Sequence, residues 1–363
     1  MGTSIRTTLF TGAGASRAIG YPLTRDLLPQ VRDEIEKGIL FEGINGPERD
    51  RSDREELKRY LIALYPGFEA VRPERLPLIT DAFSLVEYSL SAGEALAVGN
   101  ASTLRRFREL LMQAITDVLM GEFDDPWNND DPEQQCQREV LGHLIEWVVA
   151  RQDQFGLVTT NYDIGMEYDL YERMGREKIY GFIDLGYDYR QVDGGDERRR
   201  PAESSLHVYK LHGSLDTLRC PTCGYIYFNP FGAIAYHAFR KLCDDNICHC
   251  RDDVRLDLHI VSPSLVREIR DASLLTVWRS ALEWMRRSDQ WVIVGYSLPP
   301  EDLGVRSLFS RAYRSAENKP RVTVVQHGDD ARAAYDLLFP DCEYFNAGLA
   351  EFLQRERAVE GRA

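Results

Sequence analysis

Short apolar runs rich in Val, Ile, Leu and Tyr recur along the chain at Thr7 to Thr11, Gly156 to Thr160, Leu206 to Leu211, Leu256 to Val261, Gln290 to Gly295 and Arg321 to Gln326. They read as strands buried on both faces, and strands of that kind lie parallel in a sheet covered by helices. The stretches between them are long enough for helical crossovers. The pattern therefore predicts an α/β fold with a doubly wound, Rossmann-like, mostly parallel sheet. Between the first two runs the spacing turns helical, with segments at about Asp26 to Lys37, Arg51 to Tyr65, Leu76 to Val98, Ser102 to Leu119 and Glu133 to Gln154. Turn signals fall at Glu42 to Pro47 and an acidic loop at Phe123 to Pro132. One crossover needs far less chain, so a helical insertion is expected over 25–155. The glycines and arginines of Asp193 to Pro201 (DGGDERRRP) read as an exposed loop.

In an open parallel sheet the ligand crevice lies beyond the carboxyl ends of the strands, so the residues that follow each run carry the functional question. Gly12-Ala13-Gly14-Ala15-Ser16 follows the first run, Asn161-Tyr162-Asp163 the second, His212-Gly213-Ser214 the third, and Gly295-Tyr296-Ser297 the fifth. Gly12 and Gly14 would let backbone approach a pyrophosphate, with the start of the next helix receiving its charge; an ordinary tight turn is the alternative. The next glycine, Gly20, has five residues between it and Gly14 rather than two, which departs from the common dinucleotide fingerprint. No Gly-Lys-Ser/Thr follows, which argues against a nucleotide triphosphatase. Asn161 and Asp163 offer an amide and a carboxylate, or a simple Asx turn. His212 would put an imidazole at the crevice mouth, where it can take a proton near neutral pH.

The chain has 363 residues, enough for one large domain with an insertion. Its formal net charge of −14 discourages direct binding to nucleic acid, no apolar run is long enough to span a membrane, and no targeting segment is visible; the expectation is a cytoplasmic protein. Five of seven cysteines fall between Cys220 and Cys250, a clustering that points to metal before disulfide. Cys220-Pro-Thr-Cys223-Gly has zinc-knuckle spacing, and a tetrahedral site needs two more thiolates. Cys248 and Cys250 are the chosen pair, with Cys243 as substitute and His249 as a further candidate. Four thiolates leave no open position, so the zinc would be structural, in a small module over 216–255.

Taken together these pieces resemble the sirtuins, and more closely the divergent prokaryotic sirtuin-like proteins than the standard deacylases. The resemblance is carried, in order, by GAGAS at Gly12 to Ser16, Gly20-Tyr21-Pro22, TTNYD at Thr159 to Asp163, KLHGSL at Lys210 to Leu215, the cysteine module, and VGYSL at Val294 to Leu298. It implies an NAD-binding domain over 1–345, followed by a C-terminal tail at 346–363. It also implies that Gly12, Ala13, Gly14, Ala15 and Ser16 surround the dinucleotide phosphates and that Asn161 and Asp163 lie near the nicotinamide ribose. His212 matches the catalytic histidine, Gly295 and Ser297 lie on the adenosine side, and Arg25 is retained from the motif after the glycine loop.

Where deacylases carry an aromatic before that arginine, this chain has Tyr21-Pro22-Leu23-Thr24-Arg25. That departure shifts the expectation from deacylation to NAD hydrolysis, with Asn161 and His212 as catalytic residues and water as acceptor. The implied role is a gated effector of bacterial antiviral defence, restrained as a homo-oligomer or by a partner such as an ATPase or sensor. An NAD-dependent protein deacylase or ADP-ribosyltransferase, and a noncatalytic NAD or ADP-ribose binding module, stay open as alternatives.

Overall fold

Successive residues along the central strands point to opposite sides of a sheet, and in this protein both sides are apolar. Leu9, Leu157, Val208, Val292 and Val294 enter one hydrophobic core, while Phe10, Val158, Tyr209, Trp291 and Ile293 enter another. The computed structural model describes residues 5–124, 132–150, 155–175, 183–191, 197–204, 206–240, 247–264, 271–300 and 302–360. In chain order the strands are β1 (Thr7–Thr11), β2 (Phe155–Thr159), β3 (Ile183–Asp184), β4 (Tyr189–Gln191), β5 (Glu197–Arg198), β6 (Leu206–Lys210), β7 (Gly213–Arg219), β8 (Ile226–Phe228), β9 (Asp257–Ile260), β10 (Gln290–Val294), β11 (Arg321–Val325) and β12 (Glu343–Phe345). The helices are α1 (Ala13–Arg17), α2 (Thr24–Lys37), α3 (Pro47–Leu64), α4 (Ile79–Ala92), α5 (Ala101–Asp124), α6 (Pro132–Val149), α7 (Gly165–Met174), α8 (Ala272–Arg286), α9 (Leu303–Ser315), α10 (Arg332–Leu338) and α11 (Leu349–Glu360).

Seven strands form one parallel sheet in the order β12-β11-β10-β1-β2-β6-β3, the doubly wound arrangement expected from the apolar runs. Helices α2 to α6 cover one face and share its core with α7 and α11; α8, α9 and α10 cover the other. A second sheet has the order β5-β4-β8-β7-β9; Cys220 and Cys223 lie in its β7–β8 connection, and Cys248 and Cys250 lie between β8 and β9.

The run at Leu256 to Val261 departs from expectation. Its strand, β9, pairs antiparallel with β7 in the small sheet, and of its four residues only His259 is fully buried. A run this short does not distinguish a sheet interior from a half-covered strand. The helix expected over Leu76 to Val98 stops at Ala92, because Gly93 takes the left-handed conformation (φ 70°) that caps a helix. The acidic loop is shortened by α5, which runs on to Asp124; 125–131 lie outside the described residues. DGGDERRRP is not wholly loop either. Glu197–Arg198 pairs with β4, and the Arg200 guanidinium donates to the buried Asp184 carboxylate at 2.6 and 2.8 Å, while 192–196 lie outside the described residues. Burial would raise the Asp184 pKa, but hydrogen bonds from His207, Arg200 and Tyr209 outweigh it and hold the group well below the usual carboxylate range.

At the carboxyl end of the sheet the loops after β1 and β10 approach closely through their main chains. Gly14 N–H donates to the Gly295 carbonyl at 2.8 Å, and Gly12 N–H to Val294 at 3.0 Å. Gly295 sits at φ 60°, and a Cβ there would lie 2.1 Å from the Ala15 nitrogen. Gly295→Ala is therefore expected to cost about 3 kcal/mol or more in urea denaturation, from backbone strain plus the clash. Gly43→Ala, at φ 81° with nothing within 4 Å, should cost only the strain, about 1 to 2 kcal/mol. Equal losses in the two variants would show that the β1–β10 contact is not tight.

Candidate active site

Strand order reverses at β1: the chain leaves it toward β2, and β10 lies on its other side. A crevice outside the carboxyl ends of the strands at such a switch point is where open α/β sheets bind ligands. The glycine loop, the Asn161 loop and the Gly295 loop all open there.

Three expected side chains form a continuous hydrogen-bonded set. The Asn161 amide nitrogen donates to the Gly12 carbonyl at 2.9 Å and to Ser16 Oγ at 2.7 Å, and Ser16 Oγ donates to Asp163 Oδ2 at 2.7 Å. Both amide hydrogens of Asn161 are thus committed, and its acceptor oxygen is the end left for a ligand. Ser16, Asn161 and Asp163, with the apolar Ile19, Leu144 and Met166, border a small space of about 10 Å³, close to what one water needs. Asp163 is buried, and that burial raises its pKa to about 6, against the lowering effect of Lys210.

The glycines of the first loop have a structural job here. A Cβ on Gly12 would lie 2.8 Å from Tyr296, and one on Gly14 2.8 Å from Gly295. Of the N–H groups at the start of α1, that of Gly14 goes to Gly295 and that of Ala15 to Gly12. The Gly295 loop is held in turn by Tyr296, whose carbonyl accepts from Gln326 Nε2 and the Tyr335 hydroxyl, both at 2.6 Å.

His212 is not at a crevice mouth but buried, at 4% exposure, in the turn between β6 and β7. Its ring lies 6.4 Å from that of Tyr162 and 6.2 Å from that of Trp278, and its carbonyl accepts from Val261 N–H at 2.9 Å. The turn places it there because β7 begins at Gly213, whose φ of 83° no side chain would tolerate beside the His259 carbonyl. Leu211 N–H donates to the Thr159 carbonyl at 2.8 Å, so the histidine turn and the Asn161 loop start from one shared bond. Two other expected residues are not drawn in. Arg25, in the first turn of α2, has a side chain 74% exposed and pairs with Asp26 at 3.8 Å; Ser297 is exposed beyond Tyr296.

Buried charges lie beneath this set. Lys210, the last residue of β6, donates from Nζ to the Asp163 carbonyl and to Glu167 Oε1, the latter at 2.7 Å. Asp216 on β7 is also buried against this group. Burial alone would lower the Lys210 pKa, but Glu167, Asp216 and Asp163 outweigh it and keep the ammonium charged. Burial pushes Asp216 up to about 6, with Lys210 opposing. The available signal was a lysine closing an otherwise apolar strand, LHVYK, with Glu167 four residues after Asp163.

The four chosen cysteines come together. Cys220, Cys223, Cys248 and Cys250 place their sulfurs within 4.8 Å of one another, with Cys220–Cys250 at 3.8 Å and Cys223–Cys248 at 3.6 Å. Tetrahedral zinc with bonds near 2.3 Å separates its sulfurs by about 3.8 Å, so the cluster fits a structural zinc. Burial disfavours a Cys220 thiolate, but the N–H groups of Cys223 and Thr222, each 3.4 Å from the sulfur, bring its pKa down to about 7. His249 Nδ1 meets the Tyr227 hydroxyl at 2.6 Å instead, and Cys243 lies outside the described residues.

No family model and no curated protein matches the chain. Solved structures do. A Sir2 complex with p53 peptide and NAD+ is 14% identical, with 99% of this chain and 94% of that chain covered and a TM-score of 0.45. Sir2 bound to acetylated peptide is 13% identical over 99% and 94%, TM-score 0.43. Sir2 with the inhibitor EX-527, 2'-O-acetyl-ADP-ribose and deacetylated p53 peptide is 15% identical over 99% and 95%, TM-score 0.42. At these identities and scores the likeness assigns the chain neither a family nor an activity. Among the described residues no helix is long and apolar enough to cross a membrane.

Two outcomes test this site's chemistry. Metal analysis after gentle purification should find about one zinc per chain; less than about half an equivalent contradicts the four-thiolate site. The second concerns Asp216. Its folded pKa of about 6 exceeds the unfolded value near 3.9, so the folded state binds its proton more tightly. The group costs nothing below about pH 4 and costs progressively more as pH rises through 6. Asp216→Asn removes that cost, and its stability relative to the wild type should improve by about 1 kcal/mol between pH 5 and pH 7.5. A difference that is constant or falls with pH would contradict the assignment.

Proposed function

We propose that the protein is an NAD hydrolase that cleaves the bond between nicotinamide and ribose, giving nicotinamide and ADP-ribose. The observation that supports it most is the bonded set of Ser16, Asn161 and Asp163 at the carboxyl ends of adjacent central strands, with His212 leaving the next strand along. The motif resemblance, which matches these same positions to an NAD site, supplies the choice of ligand.

The chemistry suits these groups. Nicotinamide departs as a neutral molecule from a cationic ring, so the leaving group needs no proton donor. The demands are an oriented ribose, stabilisation of the positive charge that develops on it, and a placed nucleophile. In this reading the Asn161 oxygen accepts from a ribose hydroxyl or from the attacking water, and fixes its direction. The Asp163 carboxylate, when ionised, supplies negative potential beside the same set. The imidazole of His212 takes the proton released as water adds. The start of α1, from Ala13 to Ser16, receives the phosphates, Gly295 and Ser297 border the adenosine side, and Arg25 stays at the outer rim.

In the gated form of the reading, a second copy or a partner protein such as an ATPase or sensor controls the site. Defence by NAD depletion is the biological role that fits a toxic activity under such restraint.

Incubating the purified protein with NAD, alone and with candidate partners, should release nicotinamide without any peptide. Asn161→Ala and His212→Ala should each lower that rate by about 100-fold or more. Release only in the presence of acylated peptide would move the assignment to deacylation. Binding with no release under any condition would leave a noncatalytic module. Unchanged hydrolysis in both variants would remove these two residues from the mechanism.

A further inference from the structure

We propose that Lys210 is a positioning residue for this site: from beneath, it ties the Asn161 loop, the first turn of α7 and the strand that leads to His212 into one geometry. The inference rests on the NAD reading for its catalytic readout.

Lys210 closes β6, where it is paired in register with Thr159 of β2. Its side chain, 9% exposed, reaches the main-chain carbonyl of Asp163 and the carboxylate of Glu167. Glu167 belongs to the first turn of α7, and the Asp163 carbonyl belongs to the loop between β2 and α7. A continuous path of hydrogen bonds therefore runs from Glu167 through the ammonium to Asp163, on to Ser16, and through the Asn161 amide to Gly12. Two residues after Lys210 comes His212. One cation is thus bonded to the segment that carries Asn161 and covalently continuous with the segment that carries His212.

Stability alone does not account for it. Removing an ammonium and a carboxylate from water is costly, and a well-packed apolar pair of similar volume often serves a fold better. Here a second and third carboxylic group, Asp163 and Asp216, face the same ammonium, and Asp216 Oδ1 is buried without a hydrogen-bond partner among the described residues. What the ion pair supplies that an apolar pair cannot is a directed bond to the Asp163 carbonyl, which sets where the loop turns.

Lys210→Met alone strands the carboxylates and can fail to fold, so the test uses Lys210→Met/Glu167→Gln, which removes both charges of the ion pair. In that variant kcat for nicotinamide release should fall at least about tenfold while KM stays within about threefold, since misplacing groups at the reacting centre acts on the chemical step. Its thermal midpoint should stay within a few degrees of the wild type. A folded double variant with the wild-type kcat overturns the proposal. Should the double variant not fold, Glu167→Gln carries the test in the same direction, and an intact kcat there overturns it equally. If the wild-type protein itself releases no nicotinamide, the hydrolase reading fails on its own. Calorimetric affinity for ADP-ribose then decides: a loss of at least about fivefold in the double variant, the worth of one hydrogen bond, supports the positioning role. Equal affinity ends it.

Discussion

A charged amine taken out of water must be surrounded by acceptors, and the ligand end of this sheet is organised around that requirement at Lys210. The carboxylate of Glu167 and the carbonyl of Asp163 meet it directly, and those two bonds fix how the chain leaves β2 and enters α7. The side chain of Asp163, turned by the same constraint, meets Ser16, and Ser16 meets Asn161. Polar groups that would each be an ordinary turn residue become a rigid set because none can move without leaving a buried partner unmet.

On the other flank the restraint is steric rather than electrostatic. Gly12 and Gly14 lie against Tyr296 and Gly295 with no space for a Cβ. Tyr296 is held by two bonds to its carbonyl and by its hydroxyl, which donates to Asp302 at 2.8 Å. The same glycines that would allow a phosphate close approach serve the approach of two loops.

Much of this was legible in the sequence, for physical reasons that differ by element. The runs that became β1, β2, β6, β10 and β11 were visible because residues on both of their faces are buried in two separate cores. The run around β9 pairs antiparallel with β7, a strand that leaves no apolar run in the sequence. GSLDTLR buries Ser214, Asp216 and Thr217 as well as leucines, so its apolar pattern is broken by the polar groups that serve the site. β3 and β12 are too short, at two and three residues, to leave a pattern. Ser16, Asn161 and Asp163 stood out because small polar residues at several strand ends are informative as a group. The cysteines stood out by spacing. The burial of His212 and the pairing of Lys210 were hidden, since a histidine or lysine at the end of a strand reads as solvent-facing until the elements that cover it, β7 and α7, are in place.

The central claim is that the Gly12–Ser16 loop, Asn161 and the buried groups behind them form one nucleotide site. A crystal structure of the protein with bound ADP-ribose tests it most directly. The account predicts the diphosphate at the start of α1, a ribose hydroxyl against the Asn161 oxygen, and the bonds from Asn161 to Ser16 and from Lys210 to Glu167 unchanged. ADP-ribose bound elsewhere, or bound here with Asn161 turned away and the Lys210 pair broken, would contradict it.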